Sequence, residues 1–525
     1  MTTTQRGRAT TTRRVPLERR RGPGPPTTPT SPTGPTTPTA TTTPPCSKGG
    51  RHRPPRHGRA EADMVAPEAP WRPVRALEHQ GIIAWRGVDA VTLLTVYLVL
   101  LMAVPSAIRI TALGELGRPS LVWGVVLFGW WVISRLQAQA LDVAPVSQPI
   151  RFAFVALLVI ALVSFAAAML RGQPADQISP ATTAVIRLLS WAGVLFTAMD
   201  GIRTMNDLKR MLRRIGIAAG LLAGLGVAQA VSGQSFIDFF GSIPGLSGIE
   251  GGDGSVAERG GFARSSGTAL HPLEYATALN AALPFVIAAG ISHGFRFERG
   301  KGSVIWWVPV ALIAISALLG VSRSAIIGLA VASLLMIPAF PRRARGWVIG
   351  GGATLVVAVI VAVPGLFSLT SSLFVGAAND PSTQSRTGGL ERAPEFVAAS
   401  PFYGAGFGTF LPRYYIFDNQ WVLIAVELGI LGVLAFAAVI FTAIWSAMVA
   451  RRQSGQADVR LIGHALAASV FTVALLFAFF DGLAFPMAGG LLFLIIGLCG
   501  SVRTIGAADA ALGSALIPAA NRRLS

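Results

Sequence analysis

The sequence predicts an all-α fold, a polytopic transmembrane helical bundle of about twelve spans with a large extracytoplasmic loop between spans 9 and 10. Three observations lead there. Mean hydropathy is +0.57. Only 13% of the 525 residues are charged, against roughly 25% in a soluble domain. Apolar runs recur near 88–107, 120–137, 152–170, 184–200, 215–232, 271–292, 303–320, 324–340, 346–369, 421–449, 461–480 and 483–503, each close to or above the roughly 17 residues that cross hydrocarbon. Such runs are expected as helices, because a helix satisfies its backbone hydrogen bonds within one segment. The second, fourth and eighth are the shortest.

Residues 1–85 read as a disordered, basic, Thr/Pro-rich cytoplasmic tail, 86–505 as the transmembrane domain and 506–525 as a short cytoplasmic C-terminal tail. Residues 1–75 hold fourteen Lys and Arg against four Asp and Glu, about half of the net charge of +19. The rest is mostly Thr, Pro and Gly, which bury too little apolar surface to offset chain entropy. The charge therefore reads as a solvated tail near anionic headgroups, or as a dock for cell-envelope biosynthesis proteins, and not as a nucleic-acid surface. Cys46 and Cys499 offer no disulfide framework. Apolar segments begin only after about 85 residues, so the first span is expected to act as its own uncleaved signal.

Basic residues near spans stay cytoplasmic, which sets the expected orientation. With the tail inside, cytoplasmic links follow the even-numbered spans. They carry Lys209, Arg210, Arg213 and Arg214; Arg296, Arg299 and Lys301; Arg342, Arg343 and Arg345; and Arg451, Arg452 and Arg460. Arg503, Arg522 and Arg523 fall inside as well, so a multi-pass protein of the cytoplasmic (inner) membrane with both termini cytoplasmic is expected. The outer side receives two long loops, about 233–270 and 370–420, and loops of that length are commonly functional.

The sequence has no Walker-type phosphate loop, no HExxH and no Cys-rich metal pattern, so neither a metal nor another cofactor is expected. Arginines on the outer side stand out instead. Arg264 precedes the sixth span, Arg323 lies at the tight link between the seventh and eighth, and Arg386, Arg392 and Arg413 lie in the large outer loop. Guanidinium suits bidentate capture of phosphate oxygens, although Arg323 also reads as a residue snorkelling to headgroups. Asp418 precedes the tenth span, where helix N-capping is the plain alternative and Asn419 would serve equally. Glu427 lies about 13 Å deeper at 1.5 Å per residue and must face protein or water. It reads more readily as a partner for an arginine than as a base. His271 and Glu274 open the sixth span, where they are placed to line the same cavity.

Four segments resemble the O-antigen ligase and polymerase superfamily of bacterial membrane glycosyltransferases: RSSGTALHPLEYATALN, GVSRSAIIGLAVASLL, SRTGGLERAPEFVAASPFYGAGFGTF and DNQWVLIAVELGILGVLAF. The similarity spans about 260–440. It implies transfer or polymerisation of oligosaccharide from a polyprenyl-pyrophosphate carrier to an acceptor glycan or lipid on the outer face, without metal. Arg264, Arg323 and Arg386, with His271 and Glu427, then belong to substrate binding and Asp418 to contacting or deprotonating the acceptor hydroxyl. Tyr403, Tyr414 and Tyr415 are candidates to stack on sugar rings. Ligases that modify lipid A core usually carry His-Asn where this chain has Asp418 and Asn419. A carboxylate is the weaker base unless desolvated, and the change points toward a polymerase or another ligase-like branch. The competing classes are a twelve-span transporter or lipid-linked oligosaccharide flippase, which would place ionisable groups at the midplane between paired halves, and a non-catalytic envelope scaffold.

Overall fold

Each apolar run forms a helix in the computed structural model, which describes residues 89–137, 146–248, 257–259, 262–296, 304–375 and 381–521. In chain order the helices are α1 (Ala90–Met102), α2 (Pro119–Gln137), α3 (Pro149–Leu170), α4 (Ala175–Gly201), α5 (Met205–Ser232), α6 (Pro272–Ile291), α7 (Trp307–Leu319), α8 (Arg323–Met336), α9 (Arg342–Ala362), α10 (Leu366–Val375), α11 (Pro381–Ala398), α12 (Gln420–Gln453), α13 (Ala457–Leu476) and α14 (Pro486–Asn521). Among the described residues nine are long and apolar enough to cross a membrane, and α1, α7 and α8 are shorter apolar helices. Together they account for the twelve runs, and the protein is an all-α polytopic membrane protein. The tail 1–85 lies outside the described residues, as do Arg299, Lys301, Arg522 and Arg523.

Several boundaries differ from the sequence reading for local reasons. α4 starts at Ala175, well before the apolar run, because its first turns are the polar stretch ADQISPATT. α14 continues to Asn521, so residues 506–521, expected as a tail, are helical; the Ala-rich stretch AADAALGSALIPAA favours that state. The long connection between α9 and α12 contains α10 and α11. The other long connection holds β2 (Leu246–Gly248), which pairs antiparallel with β1 (Ile108–Ile110), and a hairpin of β3 (Ala257–Arg259) and β4 (Phe262–Arg264).

α6 is the most enclosed helix, packed among α5, α7, α8 and α13, while α14 packs on α4 and α12 and α9 sits at the periphery against α7. Small residues set the closest approaches, as is usual where lipid removes the hydrophobic drive between helices. At the α2–α4 crossing, Gly124 faces Ser190 and Gly193 faces the backbone of Gly124 and Phe128, with no room for a Cβ.

The two ends of the bundle are tied differently. One end is ion-paired. Asp200 takes Arg135, Arg151 (2.6 Å) and the indole of Trp131 (2.8 Å); Lys209 pairs with Asp458 and Arg210 with Asp89 and Asp207. At the other end, loop backbone is threaded between helices, and this loop end holds every residue expected at the site.

The threading is clearest in α12, which breaks at Gly429 (φ +66°, ψ −167°). The segment Pro401–Gly406 enters the break. Ile430 and Leu431 N–H groups donate to the carbonyls of Pro401 (2.9 Å) and Phe402 (3.3 Å). Ala405 and Gly406 N–H groups donate to the carbonyls of Val426 (2.9 Å) and Glu427 (3.1 Å). Backbone groups freed by the break are thus bonded within protein, the condition for irregular backbone inside a membrane. Gly429→Ala places a Cβ on the Phe402 carbonyl group at positive φ. It is expected to cost about 2 kcal/mol or more and to lower the unfolding temperature in detergent, while Gly351→Ala, in open space on α9, leaves it unchanged.

Candidate functional site

The start of α12 separates two roles that the sequence left merged. Asn419, in extended conformation (φ −160°, ψ 111°), caps the helix by accepting from the N–H groups of Trp421 (3.0 Å) and Val422 (3.3 Å). Asp418 is therefore not needed for the cap. Its carboxylate accepts instead from the Ser385 hydroxyl (3.2 Å), on α11. The neighbouring Arg386 donates through Nε to the Phe479 carbonyl (3.1 Å) and lies over the Phe479 ring. α11 is held here by an aromatic cluster in which Phe396 meets Phe410 and Phe417 edge-on.

From the opposite side comes the segment before α6. His271 caps that helix, its Nδ1 accepting from the Leu273 N–H (3.1 Å). That bond leaves the ring proton on Nε2 of the neutral imidazole. The Arg264 guanidinium and the Asp418 carboxylate act on this ring with opposite electrostatic sign. His271 thus interacts electrostatically with both Arg264 and Asp418. Glu274 sits one turn further, fully buried. It accepts from Ser106 Oγ (3.4 Å) and from the N–H groups of Leu270 (2.8 Å) and Met487 (2.6 Å), so it fastens α6 to α14. Arg118 interacts with it electrostatically.

The link between α13 and α14, overlooked in the sequence, forms the floor of the site. Gln420 N–H donates to the carbonyls of Phe477 (2.8 Å) and Phe480 (3.1 Å), and its side chain accepts from Leu483 N–H (2.7 Å). Arg187, on α4, donates to the carbonyls of Leu483 (3.0 Å) and Ala484 (3.4 Å). The link so held carries Asp481, which interacts electrostatically with Asp418 and Arg187.

Not every expected residue joins this group directly. Arg323 opens α8 behind Ser322, and Ser322 lines one small cavity with Ser265, the residue after Arg264. That places the Arg264 and Arg323 segments side by side. Glu427 lies behind the site, 9% exposed. Its carboxylate takes the backbone N–H groups of Gly408 and Phe410 and interacts with Arg187, which fixes the loop that enters α12. The tyrosines are engaged by protein. Tyr403 lies under Arg171, Tyr414 pairs with Arg413 and Gln177, and Tyr415 lies under Arg392 and donates to the Ser385 carbonyl (3.1 Å).

Residues 308–437 match the family described as O-Antigen ligase. This stretch is similar to that family. The match supports the superfamily resemblance carried by the four segments, and it suggests a glycosyltransferase-like enzyme. The matched stretch runs from α7 into α12 and includes Arg323, Arg386, Asp418 and Glu427; Arg264, His271, Arg187 and Asp481 lie outside it. No curated protein matches the chain.

Asp481 was legible only as an acid between two apolar runs (FAFFDGLAF), and Arg187 only as a lone cation inside one. Both signals are those that mark a functional group in a membrane helix bundle. The capping geometry is testable on its own. Asn419→Ala is expected to cost about 1 kcal/mol and to lower the unfolding temperature, whereas Asp418→Asn leaves that temperature unchanged.

Proposed function

We propose that this protein is a membrane glycosyltransferase that transfers or polymerises oligosaccharide from a polyprenyl-pyrophosphate carrier, with its site on the outer face of the cytoplasmic membrane. One observation carries the reading: cationic and acidic groups from segments far apart in sequence meet at the loop end, where Arg264 and Asp418 act on one imidazole and Arg386 is anchored beside Asp418 through Ser385 and Phe479. The basic links lie at the opposite end, and the bias of basic residues toward the cytoplasm supports a site on the outer face.

Pyrophosphate is already a good leaving group, so the protein's task is positioning and charge stabilisation. Arg264, Arg323 and Arg386 bind the diphosphate, with His271 offering its Nε2–H to the same anion. Asp418 contacts the acceptor hydroxyl. The hydroxyl oxygen bonds to the anomeric carbon as the bond from that carbon to the pyrophosphate oxygen breaks, and polyprenyl pyrophosphate leaves with the electron pair. Glu427 is a positioning residue that fixes the Gly408–Phe410 backbone.

A carrier would share one feature with this chain, the interrupted helix α12. In a carrier the freed backbone groups line a substrate cavity. Here Pro401–Gly406 fills them, which favours the transferase.

Purified protein in nanodiscs with lipid-linked oligosaccharide is expected to give longer glycan or a new acceptor adduct. Lipid movement without bond formation would mean a flippase, and no response a scaffold. Arg386→Ala is expected to lose about 100-fold in turnover. Arg323→Lys is expected to lose about tenfold or more, the worth of one charge-assisted hydrogen bond; full activity in that variant, at matched expression, rules out bidentate phosphate capture by Arg323.

A further inference from the structure

We propose that Asp481, on the link between α13 and α14, takes the proton of the acceptor hydroxyl, with Asp418 beside it orienting that hydroxyl. This inference rests on the glycosyl-transfer reading of the same site and assigns its base.

The hydrogen bonds distinguish Asp481 from His271, Glu427 and Glu274, and tie Asp418 to α11, which suits it to orient the hydroxyl. His271 has Nδ1 occupied by the Leu273 N–H, so its ring is a donor and has no lone pair left for a proton. Glu427 takes two backbone N–H groups, and Glu274 takes two backbone N–H groups and a hydroxyl. Asp418 takes the Ser385 hydroxyl. Asp481 takes its own backbone N–H and, among the described residues, no other donor. It is only partly buried, between the buried Phe480 and Gly482.

The backbone around it is held on three sides. Gln420 binds Phe477, Phe480 and Leu483, Arg187 binds Leu483 and Ala484, and Arg386 binds Phe479. A residue proposed for diphosphate binding thus holds the link that carries the acid, so bound donor and base have a fixed relation. Asp481 is faced by Asp418 from the start of α12, by Glu427 within it and by Arg187 from α4. Burial, and then the negative charge of Asp418, push Asp481 up to about 7, with Arg187 pulling the other way. A carboxylate poised there both ionises and accepts a proton at neutral pH, the condition for an efficient general base.

The step balances. The acceptor O–H proton passes to a carboxylate oxygen of Asp481 as the oxygen lone pair forms the new glycosidic bond. The electron pair of the broken bond leaves on the pyrophosphate. Asp481 then returns the proton to water.

The test uses full-length protein in nanodiscs with a polyprenyl-pyrophosphate-linked oligosaccharide and its acceptor, reading turnover against pH and, separately, binding of polyprenyl pyrophosphate. Asp481→Asn is expected to lose about 100-fold or more in kcat with the KM for the lipid donor and polyprenyl-pyrophosphate binding unchanged, and Asp481→Glu to recover part of the loss. The active form is the carboxylate, so wild-type turnover is expected to fall as pH drops below about 7. Asp418→Asn removes the neighbouring negative charge and is expected to move that limb to lower pH. Turnover of Asp481→Asn within about threefold of wild type overturns the assignment, as does an acid limb unmoved in its residual activity. Loss of polyprenyl-pyrophosphate binding in Asp481→Asn overturns it too, in favour of a structural role. In each case glycosyl transfer that still depends on Arg386 leaves the transferase reading standing, whereas no bond formation by wild-type protein overturns that reading and this assignment with it.

Discussion

The loop end depends on one backbone splice. A helix interrupted inside a membrane exposes N–H and C=O groups that lipid cannot satisfy, each at a cost of several kcal/mol. α12 accepts that interruption because Pro401–Gly406 supplies carbonyls to Ile430 and Leu431 and N–H groups to Val426 and Glu427. Ser164 on α3 adds a hydroxyl to the Glu427 carbonyl (2.9 Å). Glycine is required on both partners. Gly429 takes φ +66° and Gly404 takes φ +74°, each pressed against the other strand of the splice. Once the loop is locked, Phe410, Tyr415 and Phe417 meet as a cluster, α11 packs on it, and Ser385 and Arg386 reach Asp418 and Phe479.

The same economy governs the charged groups. An arginine in a bilayer is tolerated when its donors find partners in protein. Arg171 donates to the carbonyls of Gly404 and Ala405, Arg187 to those of Leu483 and Ala484, and Arg386 to that of Phe479. These carbonyls belong to the irregular links at the loop end, where carbonyls are free because no helix uses them. The arginines therefore stabilise the links and gather positive charge at one end. A device needed for folding thus supplies the cationic groups that the proposed function uses.

The helices were legible because hydropathy alone determines them: a run of about 20 apolar residues has few alternatives in a membrane. Segments that hydropathy does not describe were less legible. α11 reads as loop in SRTGGLERAPEF because no apolar stripe marks it; its helical form depends on Phe396 packing against Phe410 and Phe417, contacts made across the α11–α12 loop. Arg264, Arg386, His271 and Asp418 were singled out as candidates by residue chemistry and by the family-like segments that contain them. The choice between Asp418 and Asn419 as cap was not available from sequence, since both residue types cap helices well. Asp481 and Arg187 escaped for a different reason. Each is a single charge in an apolar context, and its meaning comes from neighbours 60 or more positions away, as Gln420 and Leu483 are.

His271 shows how the two sides of the site remain chemically distinct. Its ring interacts electrostatically with both Arg264 and Asp418, and a charged imidazolium would pair with the carboxylate and cancel the contrast between them. Capping α6 through Nδ1 prevents this, because protonation would break the Leu273 hydrogen bond and add a positive charge next to Arg264. The ring therefore remains a neutral donor between a cationic side and an acidic side. In the proposed reaction those sides have opposite tasks, one stabilising a departing anion and the other removing a proton. Both act more strongly in a low-dielectric site than in water, provided that nothing between them lets the charges neutralise one another.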